Sequence, residues 1–98
     1  MSKQKFKTFQ KDVTTSGTPV QIGSFTYEER ASMVIKSKAS NTGYIKIGGS
    51  SADAQKASSN NFTLDAAGDA LDGIEVTDTN LIWIDAEFDG EGVEIVIG

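Results

Sequence analysis

Hydrophobic and polar positions alternate with a period of two in several short stretches of this chain, which is the pattern of half-buried β-strands. In residues 31–38 one parity is largely apolar, and the other becomes increasingly polar. Residues 44–47 resume the alternation, and the Ser-Asn-Thr-Gly sequence at 40–43 favours a turn between the two stretches. We therefore predict a β-hairpin here, with Gly43 supplying a positive φ at the turn.

The clearest strand pattern covers residues 81–88. Its predicted core face carries Ile82, Ile84, Ala86 and Phe88, and its predicted solvent face carries Leu81, Trp83, Asp85 and Glu87. The Asp89-Gly90 pair favours a tight turn. Residues 93–97 then place Val93, Ile95 and Ile97 on the core side. These stretches predict a second hairpin whose outer row is acidic.

Weaker alternation predicts strands at residues 19–24, 61–65 and 70–76, the last with Gly73 as a bulge or bend. Residues 6–13 are either a further strand or an arm that orders on contact. Residues 51–59 contain helix formers without an apolar stripe, which indicates a surface loop with at most one helical turn.

About seven to eight short strands, separated by turns rich in glycine, serine, asparagine and aspartate, predict an all-β fold. We expect an antiparallel β-sandwich or a jelly-roll-like barrel. The 98 residues suffice for one domain. We place this β-sandwich domain at residues 13–98 and a basic N-terminal arm at residues 1–12.

Composition narrows the chemistry, because the chain contains neither histidine nor cysteine. Their absence removes the commonest general base, the thiol nucleophile and the usual zinc ligands. We therefore predict that the protein is not an enzyme and that it has no catalytic residue, cofactor or metal site. No apolar stretch is long enough to span a bilayer, so we expect no membrane partner.

Two acidic clusters have features of cation sites. Residues 85–90 have the oxygen spacing of a calcium loop, but Val96 stands where such a loop needs a bidentate acid. Asp65, Asp69 and Asp72 could hold a cation or form a carboxylate pair for glycoside hydrolysis. We interpret both clusters as polar turns.

The charges are sorted along the chain. Residues 1–46 contain eight basic and three acidic residues, whereas residues 47–98 contain one basic and eleven acidic residues. The basic arm contains Lys3, Lys5, Lys7 and Lys11, interleaved with Phe6 and Phe9. It is a solvated tail, a protein-docking segment or a nucleic-acid contact. The acidic domain behind it would repel nucleic acid, which favours a protein partner such as the acidic half of a neighbouring copy, near Asp85, Glu87 and Glu91.

Two aromatic residues extend the set of candidate partner-binding residues. Trp83 lies on the polar parity of its strand, and Tyr44 lies on the Lys46 side of its own strand. Each ring is either exposed at an interface, where aromatic residues are enriched, or packed beneath the N-terminal segment.

Four blocks of strand-and-turn pattern carry a resemblance to a known family: Thr18-Pro19-Val20-Gln21-Ile22, Asn41-Thr42-Gly43-Tyr44-Ile45-Lys46-Ile47-Gly48-Gly49, Phe62-Thr63-Leu64-Asp65-Ala66-Ala67-Gly68-Asp69-Ala70-Leu71 and Asn80-Leu81-Ile82-Trp83-Ile84-Asp85-Ala86. These blocks resemble small virion proteins of tailed bacteriophages. In those proteins the third block often reads Leu-x-Pro-Gly-Glu, whereas Ala67-Gly68-Asp69 stands at that place here, without the proline.

The resemblance implies a β-sandwich that is assembled in the host cytoplasm and resides in the phage particle. It implies a head decoration, or cement, protein that binds the major capsid protein or another virion protein. It also implies a homo-oligomer, for which a trimer would match capsid symmetry. A tail or neck component, and a host-surface carbohydrate-binding module using Trp83 and Tyr44, remain alternatives.

Overall fold

The computed structural model describes residues 7–23 and 26–97. Eight strands and one helical turn follow one another along the chain: β1 (Lys7–Asp12), β2 (Val20–Gln21), β3 (Thr26–Ser37), β4 (Ile45–Gly48), α1 (Ser51–Ala54), β5 (Phe62–Leu64), β6 (Ala70–Asp78), β7 (Trp83–Ala86) and β8 (Gly92–Ile97). A 3₁₀ turn at Thr79–Leu81 precedes β7.

The strands form two four-stranded antiparallel sheets, in the orders β1-β8-β3-β6 and β2-β7-β4-β5. Pairing is nested: β1 pairs with β8, β2 with β7, β3 with β6, and β4 with β5. The chain is therefore one long hairpin, with its tip at the connection that carries α1, rolled into two layers. This arrangement is a jelly roll, and it confirms the predicted all-β sandwich.

Both predicted hairpins are wrong in their pairing. β3 and β4 lie in different sheets, and so do β7 and β8. The turns at 40–43 and 89–90 exist, but each carries the chain across from one sheet to the other. Alternation shows which side of a strand is buried. It does not show which strand pairs with it, because the strand would bury the same side in either sheet.

The core fills the space between the sheets and is dominated by isoleucine. The predicted core residues of β7 and β8 are buried, which confirms their parity, except that Phe88 lies beyond β7 and is 47% exposed. Gly73 has a φ of +76° beside a register shift between β3 and β6, which confirms the predicted bulge. Gly43 has no positive φ; a Cβ there would lie 2.7 Å from the Cβ of Glu87, so close approach requires the glycine.

The two ends of the roll are built differently. The connections 13–19, 38–44, 65–69 and 87–91 cross between the sheets at one end, which we call the loop end. The other end, which we call the apolar end, is where β4 leads into α1 and where the 3₁₀ turn leads into β7. α1 is the predicted single helical turn; Ser50 caps it by accepting a hydrogen bond from the Asp53 N–H.

Candidate partner-binding site at the apolar end

A buried carboxylate braces the loop end. Asp85 is fully buried, which corrects the prediction that it faces solvent. Its Oδ1 accepts hydrogen bonds from the Gly17 N–H at 2.9 Å and from the N–H of the next residue, Ala86, at 2.8 Å. Its Oδ2 accepts the Lys56 N–H at 2.8 Å. The connection 13–19 and the segment after α1 thus fold over the outer face of the second sheet, and the carboxylate satisfies their backbone donors.

The same segments are joined by side chains around Asp85. Lys56 donates through Nζ to the Ser16 hydroxyl at 2.6 Å, and this hydroxyl donates to the Ala86 carbonyl at 2.7 Å. Gln55 Nε2 donates to the Gly17 carbonyl at 2.8 Å. Lys56 is the one basic residue of the acidic half of the sequence, and its ammonium group is engaged inside the fold.

Glu91 holds the connection 38–44 in place. Its Oε2 accepts the Thr42 N–H at 2.7 Å and the Thr42 hydroxyl at 2.9 Å, and its Oε1 accepts the Gly43 N–H at 2.9 Å. Burial acts to raise the pKa of Glu91, but these hydrogen bonds outweigh it and hold the pKa below the ordinary value of 4.5. This carboxylate is therefore ionised at neutral pH.

Asn41 completes the hydrogen bonding at this end. It is 7% exposed, and its Nδ2 donates to the Ser37 hydroxyl at 2.8 Å and to the Gly92 carbonyl at 2.7 Å. Its Oδ1 accepts the Gly92 N–H at 3.2 Å. One amide side chain therefore ties β3 to β8.

The acids expected to receive a neighbour's arm are therefore used within the subunit. Asp85 is buried, Glu91 binds the 38–44 connection, and Glu87 Oε1 accepts the Tyr44 N–H at 3.3 Å. The prediction of an exposed acidic row is therefore wrong for Asp85, whereas docking near Glu87 and Glu91, which are half-buried, stays a prediction. A strand's parity cannot show that a loop distant in sequence covers its outer face.

The described part of the predicted arm is a strand. Of the two alternatives left open for residues 6–13, the structure shows edge strand β1, paired with β8. Lys7, Phe9 and Lys11 share its half-buried side, and Phe9 packs against the core. Lys3, Lys5 and Phe6 lie outside the described residues.

Trp83 and Tyr44 are half-buried on the second sheet. Because Ile82 and Ile84 on either side of Trp83 are buried in the core, the indole lies on the outer face, and β1 belongs to the other sheet. Trp83 is paired with Gly48, whereas Tyr44 lies four residues away along β4, roughly 13 Å, with Lys46 Nζ 5.0 Å from its ring centroid. The structure does not bring these aromatic rings together with each other or with β1.

The apolar end exposes large hydrophobic side chains that sequence reasoning did not select. Phe62 is 51% exposed and Leu81 is 53% exposed. Beside them, Leu71 and Ile74 of β6 are half-buried and pack against the core. With Ile47 and Ile82 as the floor, these residues line a depression of about 370 Å³ that we call the apolar mouth.

A wider depression of about 510 Å³ lies over β1, β8 and β3 of the first sheet. Val34 and Val96 contribute to its lining, and an ion pair crosses it, with Lys36 Nζ 3.4 Å from Glu94 Oε1. An exposed ion pair of this kind contributes little to binding or stability. The apolar mouth is the better candidate site because adjacent exposed apolar side chains mark interaction surfaces.

The surroundings of the apolar mouth are acidic. From residue 57 to residue 97 the sequence contains no lysine or arginine. Within β6, which lines the mouth, acidic residues stand at Asp72, Glu75 and Asp78. A partner that places an apolar group in the mouth therefore approaches through a negative field, which favours a cationic partner.

Leu81 carried the one sequence signal for this site, because it is a large apolar residue on a parity predicted to face solvent. No sequence signal pointed to Phe62, because it shares its parity with the buried Leu64. Within residues 7–23 and 26–97 no helix is long and apolar enough to cross a membrane. The same described residues contain no group of three or more acidic side chains placed to hold a metal ion.

The chain matches no protein-family model, no curated protein and no solved structure.

Proposed function

We propose that this protein is a structural, non-enzymatic subunit of a tailed-bacteriophage particle, and specifically a decoration protein of the head. Two observations support the proposal: the resemblance of its strand-and-turn blocks to small virion proteins, and the jelly-roll topology. Viral capsid domains share this architecture with lectins and cupins. The fold alone does not determine function, so the proposal depends on the site.

The observation that carries the proposal is the apolar mouth. Polar side chains at the loop end are engaged in hydrogen bonds within the subunit, whereas the apolar end exposes Phe62 and Leu81 side by side. Removing apolar area from water favours association. The mouth therefore provides a contact for the major capsid protein or another virion protein.

In this function the subunit acts by bridging. A decoration protein that contacts neighbouring capsid subunits adds interface area, and this added area resists the outward pressure of packaged DNA. A homotrimer would match the local threefold symmetry of a capsid, as the resemblance implies.

Immunogold electron microscopy tests the location. Antibody raised against the purified protein is applied to purified particles of the phage whose genome carries the gene. Gold on the heads supports the proposal. Gold confined to tails or necks replaces it with the tail or neck alternative, and particles without gold overturn the virion function.

A binding assay tests the site. Phe62→Ser is expected to lower cosedimentation with heads that lack the protein by at least tenfold. Phe88→Ser is the matched control, because Phe88 is similarly exposed at the opposite end of the roll. Equal binding by the two variants would show that the mouth is not the contact.

A further inference from the structure

The strand pairing places the start of β1 at the same end of the roll as the apolar mouth. Lys7 is paired with Ile97, Ile97 with Met33, and Met33 with Ile74, so these residues form one row across the first sheet. Ile74 lines the mouth. The residues that precede Lys7 in the sequence therefore join the domain at the apolar end, on the edge opposite β6.

The chemistry of these preceding residues complements the mouth. The sequence before β1 is Met-Ser-Lys-Gln-Lys-Phe, which combines one aromatic side chain, Phe6, with the charges of Lys3 and Lys5. The mouth combines exposed apolar side chains with the exposed carboxylate of Asp72 on β6. An apolar anchor flanked by lysines fits both properties.

We propose that the apolar mouth of one copy takes up Phe6 of a second copy, with Lys3 and Lys5 beside Asp72 of β6. This inference rests on the proposed role of the mouth as a contact for a virion protein, and it takes that protein to be a second copy of this chain rather than the major capsid protein. The contact is between copies because Ile74 lies three strand spacings from Lys7, roughly 14 Å.

The alternative of two mouths facing each other is disfavoured. A stable interface buries roughly 800 Å² on each partner, far more than the exposed parts of Phe62 and Leu81 provide. Such a contact would also bring the exposed carboxylate of Asp72 on one copy toward that on the other. The anchored segment brings opposite charges together instead.

A contact between the N-terminal segment of one copy and the mouth of the next is heterologous. It closes into a ring when the rotation between copies allows and otherwise forms an open chain. Either assembly leaves the loop end uncovered.

Site-specific crosslinking tests the contact, and the absence of cysteine from the chain makes each introduced thiol unique. Two differently tagged proteins are mixed, one carrying Lys5→Cys and the other Asp72→Cys, and treated with a short bismaleimide. We expect a crosslinked heterodimer at a yield at least fivefold above that with Thr14→Cys, an exposed position in the loop-end connection 13–19. Equal yields would overturn the proposal.

Two further measurements complete the test. Phe6→Ser, added to the Lys5→Cys protein, is expected to abolish the heterodimer, and its persistence would overturn the role of Phe6. Sedimentation velocity of the full chain is expected to show an oligomer that Phe6→Ser converts to a monomer with unchanged circular dichroism. Raising the salt concentration should weaken the oligomer, because exposed charges are screened.

The results separate this inference from the proposed function. Head labelling by antibody without crosslinking between copies overturns self-association and leaves the virion function in place. Crosslinking between copies, with no gold on any particle, supports self-association and overturns the virion function.

Discussion

The two ends of the jelly roll differ in which side chains they expose and which they engage in hydrogen bonds. At the loop end, four short connections cross between the sheets, and their backbone donors are satisfied by Asp85, Glu91 and Asn41. At the apolar end, Phe62 and Leu81 remain exposed to solvent. The loop end is thus held by buried or half-buried polar side chains, whereas the apolar end leaves apolar side chains open to solvent.

The path of the chain explains this difference. The connection from β4 to β5 could have covered the apolar end, but it folds back across the outer face of the second sheet. Gly48 permits this path, since a Cβ there would lie 2.6 Å from the Ala54 nitrogen. The segment that reaches Asp85 to brace the loop end therefore leaves the mouth uncovered.

The largest expected loss of stability comes from replacing Asp85, the buried carboxylate at the loop end. Asp85→Ala removes the acceptor of the Gly17 and Lys56 N–H groups in a buried site, and we expect the free energy of unfolding to fall by about 3 kcal/mol. Asp85→Asn keeps one acceptor oxygen and should lose about half as much. Urea denaturation measures both. A loss below about 1 kcal/mol for the alanine variant would show that the brace is dispensable.

Asn41→Ala should come next. It leaves the Gly92 N–H without its acceptor, while the Gly92 C=O keeps the Lys38 N–H, and an unsatisfied buried group costs about 1–3 kcal/mol. We expect the free energy of unfolding to fall by about 2 kcal/mol in urea. Thr14→Ala at an exposed position of the same end is the control, and a similar loss in both variants would contradict a specific role for Asn41.

Glu91 gives the loop end a pH dependence. The hydrogen bonds from Thr42 and Gly43 lower its pKa in the folded protein, so its stabilising contribution is complete above pH 4.5 and is lost as pH falls through the lowered pKa. Glu91→Gln removes this contribution. We expect the melting temperature of the wild type to fall more steeply than that of the variant as pH is lowered from about 5 to 3. Parallel curves from differential scanning fluorimetry would contradict this prediction.

The smallest effect on stability should come from the apolar mouth. Phe62→Ser changes a half-exposed side chain, and we expect its free energy of unfolding to stay within about 1 kcal/mol of the wild type. Phe88→Ser at the loop end provides the comparison. A loss of several kcal/mol for Phe62→Ser would make Phe62 a core residue and remove the contrast between the two ends.

Sequence pattern predicted the elements well and their partners poorly. The alternation around Ile84 and Ile95 identified buried faces correctly, and Gly73 marked a real bulge. The turn signals at 40–43 and 89–90 were real, but they were assigned to hairpins, because local turn chemistry does not show whether a chain returns along the same sheet or crosses to the other.

The candidate site was less accessible to sequence reasoning than the fold. Asp85 belongs to a solvent-facing parity, and only contact with Gly17 and Lys56, both distant in sequence, buries it. The apolar mouth is formed by residues from β4 to β7 that meet only in the rolled structure. The charge sorting suggested a contact between charged surfaces, which stays a prediction, and it did not show that Asp85 would be buried.

The sequence by itself determined an all-β domain, its buried faces and its opposed charges, because period-two patterning and composition are local properties of the chain. Only the tertiary structure decided that the strands pair in nested order, that Asp85 braces a loop, and that Phe62 and Leu81 share an open mouth. These features depend on contacts between residues far apart in the chain, which form when the long hairpin rolls and buries its apolar face.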